Sequence, residues 1–174
     1  MTTNAFIDTP IGIVTFSSNT DVSSNISVKE HVPNLPKGMH TEFCCAALLT
    51  VDSHDLVANI QFEVILAESC KLDGPESGEA LEAYSWTCEN HVVYVGTEDV
   101  EVLVRRIGPS TGFDENSAVA TAVGNRMTAT IPGPVGGWVI SLHLVLAVNP
   151  NPEPTPDSCW FAVDVPHKKL MVIE

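Results

Sequence analysis

The spacing G-x-S-x-G occurs once, as Gly108-Pro109-Ser110-Thr111-Gly112. In an α/β-hydrolase this spacing lets a sharp strand-to-helix turn expose a serine oxygen for attack. A Ser–Asp–His order is completed downstream by Asp157 or Asp164 and then His167. The chain is short for that fold and lacks βαβ alternation. Pro109 is also a natural turn residue, so an ordinary loop is the expected reading and a serine hydrolase the remote alternative.

The other reactive side chains are scattered. The six histidines, His31, His40, His54, His91, His143 and His167, show neither H-x-H nor H-x-x-x-H spacing. His40-x-Glu42 is the nearest fragment of a cupin-like metal set, and it is incomplete. The Pro-rich segment from His31 to His40 is a loop able to fold both imidazoles together. The five cysteines, Cys44, Cys45, Cys70, Cys88 and Cys159, form no C-x-x-C pair. Their odd number agrees with a reducing compartment. Neighbouring Glu42 and Glu89 disfavour thiolates, so structural roles are expected. Adjacent Cys44 and Cys45 face opposite sides of a strand, one expected buried and the other exposed. No phosphate loop or dinucleotide fingerprint occurs. No catalytic residue, metal or cofactor is therefore assigned.

Carboxylates concentrate at Asp73, Glu76, Glu79 and Glu82, spaced three apart. On a helix that spacing gives an acidic stripe. The four are the chosen contact residues for a partner, against the plainer reading of a solvated face. Asp114 and Glu115 form a second, smaller group, without the spacing of an EF-hand.

The overall charge points the same way. Of 174 residues, 22 are acidic and 8 basic, a net charge of −14. Phosphate binding needs lysine and arginine, so nucleic acid is excluded as a partner, and an anionic membrane surface is disfavoured. A basic protein, or a second copy of the chain, is the expected partner. No apolar run is long enough to span a bilayer. Residues Met1 to Phe6 lack the basic and apolar regions of a secretory leader, which places the chain, taken as complete, in the cytoplasm. A mature secreted form would read the same.

The elements that must position these residues have a period of two. Trp138, Ile140, Leu142, Leu144, Leu146 and Val148 alternate with Val139, Ser141, His143, Val145 and Ala147. Ile60, Phe62, Val64 and Leu66 alternate with Asn59, Gln61 and Glu63. Val100, Val102 and Val104 alternate with Asp99, Glu101, Leu103 and Arg105. Each run has one apolar and one mixed face, as in sheets packed on one side. Further strands are expected at Gly12–Phe16, Ser24–Val28, Phe43–Val51, Tyr84–Thr87, Val92–Val95, Thr128–Ile131, Phe161–Val165 and Leu170–Ile173. Turns are expected at Asp73-Gly74-Pro75, Gly108-Pro109 and Ile131-Pro132-Gly133-Pro134, and an extended loop at Asn149–Pro156. Glu76–Ala83 is a candidate helix, and Asp114–Val123 is expected as strand or irregular structure.

The expectation is one domain over residues 1–174, an all-β antiparallel β-sandwich or jelly-roll-like fold with at most one or two short helices. Trp138, Ile140, Leu142, Leu144, Leu146, Phe62, Val64 and Val102 should form its core. The function expected first is a non-enzymatic acidic binding protein, with a protein inhibitor or immunity-type factor as its specific form. A self-associating assembly subunit, using Leu56–Leu66 and Trp138–Val148 as interface strands, is the alternative.

Overall fold

In the computed structural model, residues 2–53, 57–78, 81–111, 119–135 and 138–164 are described. The strands are β1 (Thr2–Thr9), β2 (Gly12–Asn19), β3 (Ser24–Glu30), β4 (Phe43–Ser53), β5 (Val57–Ile65) and β6 (Cys70–Gly78). They continue as β7 (Leu81–Cys88), β8 (His91–Glu98), β9 (Ala120–Val123), β10 (Arg126–Val135) and β11 (Trp138–Pro150). Helix α1 spans Val100–Thr111, and residues 158–164 form a second helix, α2.

The strands make two antiparallel sheets. One has the order β1-β2-β5-β10-β9, the other β3-β4-β11-β8-β7-β6. Their facing sides share one core, which includes Phe16, Ile60, Phe62, Val64, Trp86, Leu142, Leu144 and Leu146. The chain is thus an all-β sandwich. β4 pairs with β11 in one sheet, and β5 pairs with β10 in the other. The β4–β5 and β10–β11 segments therefore form one antiparallel ribbon shared by both sheets, as in a jelly roll.

Alternation along β5 and β11 picked core residues, Val102 is buried from a helix instead, and the Trp138 side chain lies outside the described residues. Ile140, Leu142, Leu144 and Leu146 are buried, as are Phe62, Val64 and Val102. Trp138 begins β11, paired with Ser53. β5 lies between β2 and β10, and β11 between β4 and β8. β11 is thus paired on both sides over Val145–Val148, and β5 over Gln61–Ile65, while the rest of each run pairs with one neighbour.

The expected strand at Val100–Val104 is instead α1. Asp99 caps it: its Oδ1 accepts a hydrogen bond from the Val102 amide at 2.8 Å. Val100, Leu103, Val104 and Ile107 fit a helical stripe as well as the valines fit a strand, and the cap decides between them. The expected strand at Phe161–Val165 is corrected likewise: residues 161–164 belong to α2. Leu170–Ile173 lies outside the described residues.

The candidate helix at Glu76–Ala83 does not form. β6 and β7 occupy that stretch, paired from Cys70–Cys88 to Gly78–Leu81. Pro75, expected in a turn, sits in β6, which is an edge strand and can spare its missing amide. The turn signal at Asp73-Gly74 marks a bulge between Leu72 and Gly74. Pro132 and Pro134 similarly fall inside β10, beside another irregularity.

Cys70 and Cys88 oppose each other in register, Cα atoms 4.0 Å apart, and form a disulfide. The other three cysteines are free and buried. Pairing removes the odd-count argument for a reducing compartment. Both Cys44 and Cys45 are buried, contrary to expectation. They do face opposite ways: Cys45 enters the main core, and Cys44 enters a second cluster with Leu81, Ala83, Val145, Ala147, Cys159, Ala162 and Val163. α2 supplies the last three and covers the outer side of the six-stranded sheet. That sheet is therefore packed on both faces near its centre, which explains why the mixed face of β11 is also buried. Gly96 permits the close approach: a Cβ there would lie 2.6 Å from side-chain atoms of Leu81 and Val163.

Candidate functional site

The bulge and register of β6 decide where its acids point. Glu76 lies opposite Ala83, whose side chain joins the outer cluster under α2. The Ser85 hydroxyl donates to Glu76 Oε1 at 3.5 Å, and the Thr87 hydroxyl donates to Asp73 Oδ2 at 2.9 Å. Both carboxylates thus belong to the outer face of this edge. Tyr94 of β8 pairs with Ser85 on one side and Ala147 on the other, so it shares that face.

Acids from the distant Pro-rich loop join them. Burial, and then the charges of Glu153, Glu76, Cys159 and Asp157, push the Tyr94 hydroxyl up to about 12. Each negative neighbour opposes forming the phenolate. Half-buried Tyr94 and Trp160 pack against the outer cluster. Asp73 and Glu76 thus share the outer face with Tyr94, and the bond from Cys159 Sγ to the Val92 carbonyl at 3.7 Å brings the loop of Glu153 and Asp157 to the same edge, an acidic rim beside Tyr94 and Trp160.

A polar network fixes the loop. Asn149 is buried at the end of β11. Its Oδ1 accepts from the Glu42 amide at 3.2 Å. Its Nδ2 donates to Ser158 Oγ at 3.1 Å and Glu153 Oε1 at 3.4 Å. Thr41 donates to the Ser158 carbonyl at 3.3 Å. Glu42 extends the negative region and lies 3.6 Å from His91 Nε2. A buried asparagine with several partners rigidifies the segment it joins.

The four acids chosen from sequence do not act together. Asp73 and Glu76 are in the rim, whereas Glu79 lies outside the described residues. Glu82 turns the other way: its Oε2 accepts from the Ala120 amide of β9 at 3.0 Å, bridging the two sheets. Helical spacing had put these residues on one stripe, and a strand separates them by parity. Burial pushes the Glu82 carboxyl above its ordinary value; the Ala120 hydrogen bond opposes this, and Asp99 reinforces it. Such a group stabilises the fold below its unfolded pKa and loses that contribution as pH rises through its folded value. Glu82→Gln retains an acceptor for Ala120 and removes the charge. Its melting temperature should exceed that of the parent near pH 7, and the gap should close toward pH 4. Thermal unfolding followed by circular dichroism at both pH values measures this.

The reactive pairs are built for packing. His31 Nε2 lies 2.9 Å from Cys44 Sγ, the reach of a nucleophilic dyad. Yet Cys44 is 2% exposed, and burial followed by the Cys45 charge pushes its thiol far above the ordinary value. Its Sγ also donates to the Ala162 carbonyl at 3.5 Å, tying β4 to α2. Burial, and then Glu30, push Cys45 up to about 12. Gly108–Thr111 is the last turn of α1, so no strand-to-helix elbow forms around Ser110. Asp164 is buried in α2, and His167 lies outside the described residues.

One ionisable pair escaped the sequence reading. His143 Nδ1 lies 3.7 Å from Glu98 Oε2, and both side chains are 0% exposed. They sit on the outer face, two residues beyond the Gly96–Val145 pair. The Thr97 hydroxyl donates to the His143 carbonyl at 2.7 Å. Sequence assigned His143 to the mixed face of its strand, but Glu98 lies 45 residues earlier (143 − 98) and nothing in the spacing joins them.

Among the described residues, no group of three or more His, Cys, Asp or Glu side chains converges as a metal set. No described helix is long and apolar enough to cross a membrane. The fold defines a β-sandwich with an acidic, aromatic-lined outer edge. Comparison with protein-family models, curated proteins and solved structures gave no match.

Proposed function

We propose that the chain is a non-enzymatic binding domain that receives a basic segment of another protein on the rim around Tyr94. The supporting observation is the placement of Asp73 and Glu76 of β6 on the outer face with Tyr94, while Asn149 and Cys159 tie the loop of Glu153 and Asp157, and with it Trp160, to the same edge. Carboxylates supply charge-assisted hydrogen bonds to lysine or arginine, and aromatic faces attract the same cations. A net charge of −14 steers a basic partner toward the protein. Occluding a basic active site, as an inhibitor does, is one use of such a surface.

The test is a titration with an arginine-rich peptide, read by Trp160 fluorescence and the Tyr94 ring signals. Binding should saturate and weaken by about tenfold or more between ~50 mM and ~500 mM salt, as screening shortens the range of the charges. Glu76→Lys combined with Asp157→Lys should abolish it, while Asp21→Lys on the β2–β3 loop should leave most of it. Salt-independent binding, or binding that survives the double reversal, would refute the proposal.

A further inference from the structure

Four strands end the two sheets, and three are blunted against pairing. β6 carries Pro75 and a bulge, β9 has four residues, and β3 carries Lys29 and Glu30. These are the devices by which edge strands avoid joining other chains. β1 has none of them. It runs for eight residues, Thr2-Thr3-Asn4-Ala5-Phe6-Ile7-Asp8-Thr9, with an unbroken register against β2 and a single charge, Asp8. Every second residue of an edge strand directs its amide and carbonyl away from its neighbour, so about four such pairs of β1 have no strand partner among the described residues, although β3 packs beside it and Ser24 Oγ donates to Thr3 Oγ1 at 3.1 Å.

The same edge carries exposed apolar surface. Phe6 is 65% exposed and Ile13, on the adjoining β2, is 62% exposed. The register pairs Phe6 with Thr15 and Asp8 with Ile13, which makes Phe6 and Ile13 diagonal neighbours on the solvent face. An apolar pair beside a bare edge favours a strand that brings matching apolar surface.

We propose that this edge pairs with β1 of a second copy, in antiparallel register about a twofold axis at Phe6. The two five-stranded sheets then become one continuous ten-stranded sheet. Such an axis preserves the faces of the sheet, so even-numbered residues meet even-numbered residues. Phe6 lies opposite Phe6 of the second copy, and Ile13 flanks the aromatic pair on each side. Asp8 lies opposite Asn4 of the second copy, which keeps the only charges of the two strands apart. The strand can thus meet itself with like side chains at the axis and no opposed like charges, as a twofold interface requires. Local pairing is opposed by long-range repulsion between two chains of charge −14. Dimerisation therefore strengthens with salt, the reverse of what the acidic rim does with a basic peptide. The two proposals consequently stand or fall separately.

Sedimentation of the full chain at ~100 µM, at ~50 mM and ~500 mM salt, gives the first reading. The expected result is a dimer whose association constant rises several-fold at the higher salt. F6E and F6K should each sediment as folded monomers, since like charges then meet across the axis. An equimolar mixture of F6E and F6K should recover a heterodimer. F6C should form a covalent dimer on mild oxidation faster than I13C does; the native free cysteines are buried. A monomeric parent protein at both salts would overturn the proposal. So would F6E and F6K dimerising as the parent does, or equal cross-linking of F6C and I13C.

Discussion

His143→Leu should destabilise the fold by about 3–5 kcal/mol, the usual cost of removing one partner of a wholly buried ionisable pair. The imidazole lies 3.7 Å from Glu98 in a layer where both side chains are wholly buried. Leucine fills much of the volume but removes the imidazole's contact with Glu98. The same change combined with Glu98→Leu should be markedly less harmful than His143→Leu alone, because two well-packed apolar groups then replace the whole pair rather than half of it. Urea unfolding of the parent, both single variants and the double variant forms a complete cycle. A loss below about 1 kcal/mol for His143→Leu would show that the pair does not have this role.

Leu144→Ala, one residue away and on the opposite face of β11, should cost about 2–5 kcal/mol for a different reason. Leu144 is fully buried between the two sheets. Truncation removes apolar contacts and leaves a cavity that the two packed sheets cannot collapse to fill. The urea midpoint should fall with little change in slope. Asp8→Ala, on the exposed face of β1, should stay within about 0.5 kcal/mol of the parent under low protein concentration. A Leu144→Ala cost under about 0.5 kcal/mol would mean the side chain is not in the core.

These neighbouring residues show what the sequence made legible. Alternation along β11 identified a strand and its inner face, because every second side chain must meet the opposing sheet. It could not identify what lies on the outer face. That depends on α2, whose residues arrive from beyond a proline-rich loop and were expected to form a strand. At Val100–Val104 two periods fitted the same letters, and the side chain of Asp99 resolved them in favour of α1. Along Asp73–Glu82 the acids were recognised, but their directions follow from a bulge and from strand parity. Half of the rim was therefore visible as Asp73 and Glu76. Glu153 and Asp157 join it only through the folded path of the loop, held by Asn149. The disulfide was equally hidden, since its cysteines become neighbours only through the β6–β7 register.

The place of β11 in the six-stranded sheet also imposes an order on synthesis. β4 and β8 both pair with β11, yet neither pairs with the other. Emerging from the ribosome, the chain displays β4 and β8 long before residues 138–150 appear to join them. The β6–β7–β8 meander can assemble locally, but its union with β3–β4 must wait until β11 has been made. Such late, distant pairing slows folding and leaves open strand edges in the unfinished chain. The two halves of the six-stranded sheet are therefore joined by a strand that follows both of them in the chain.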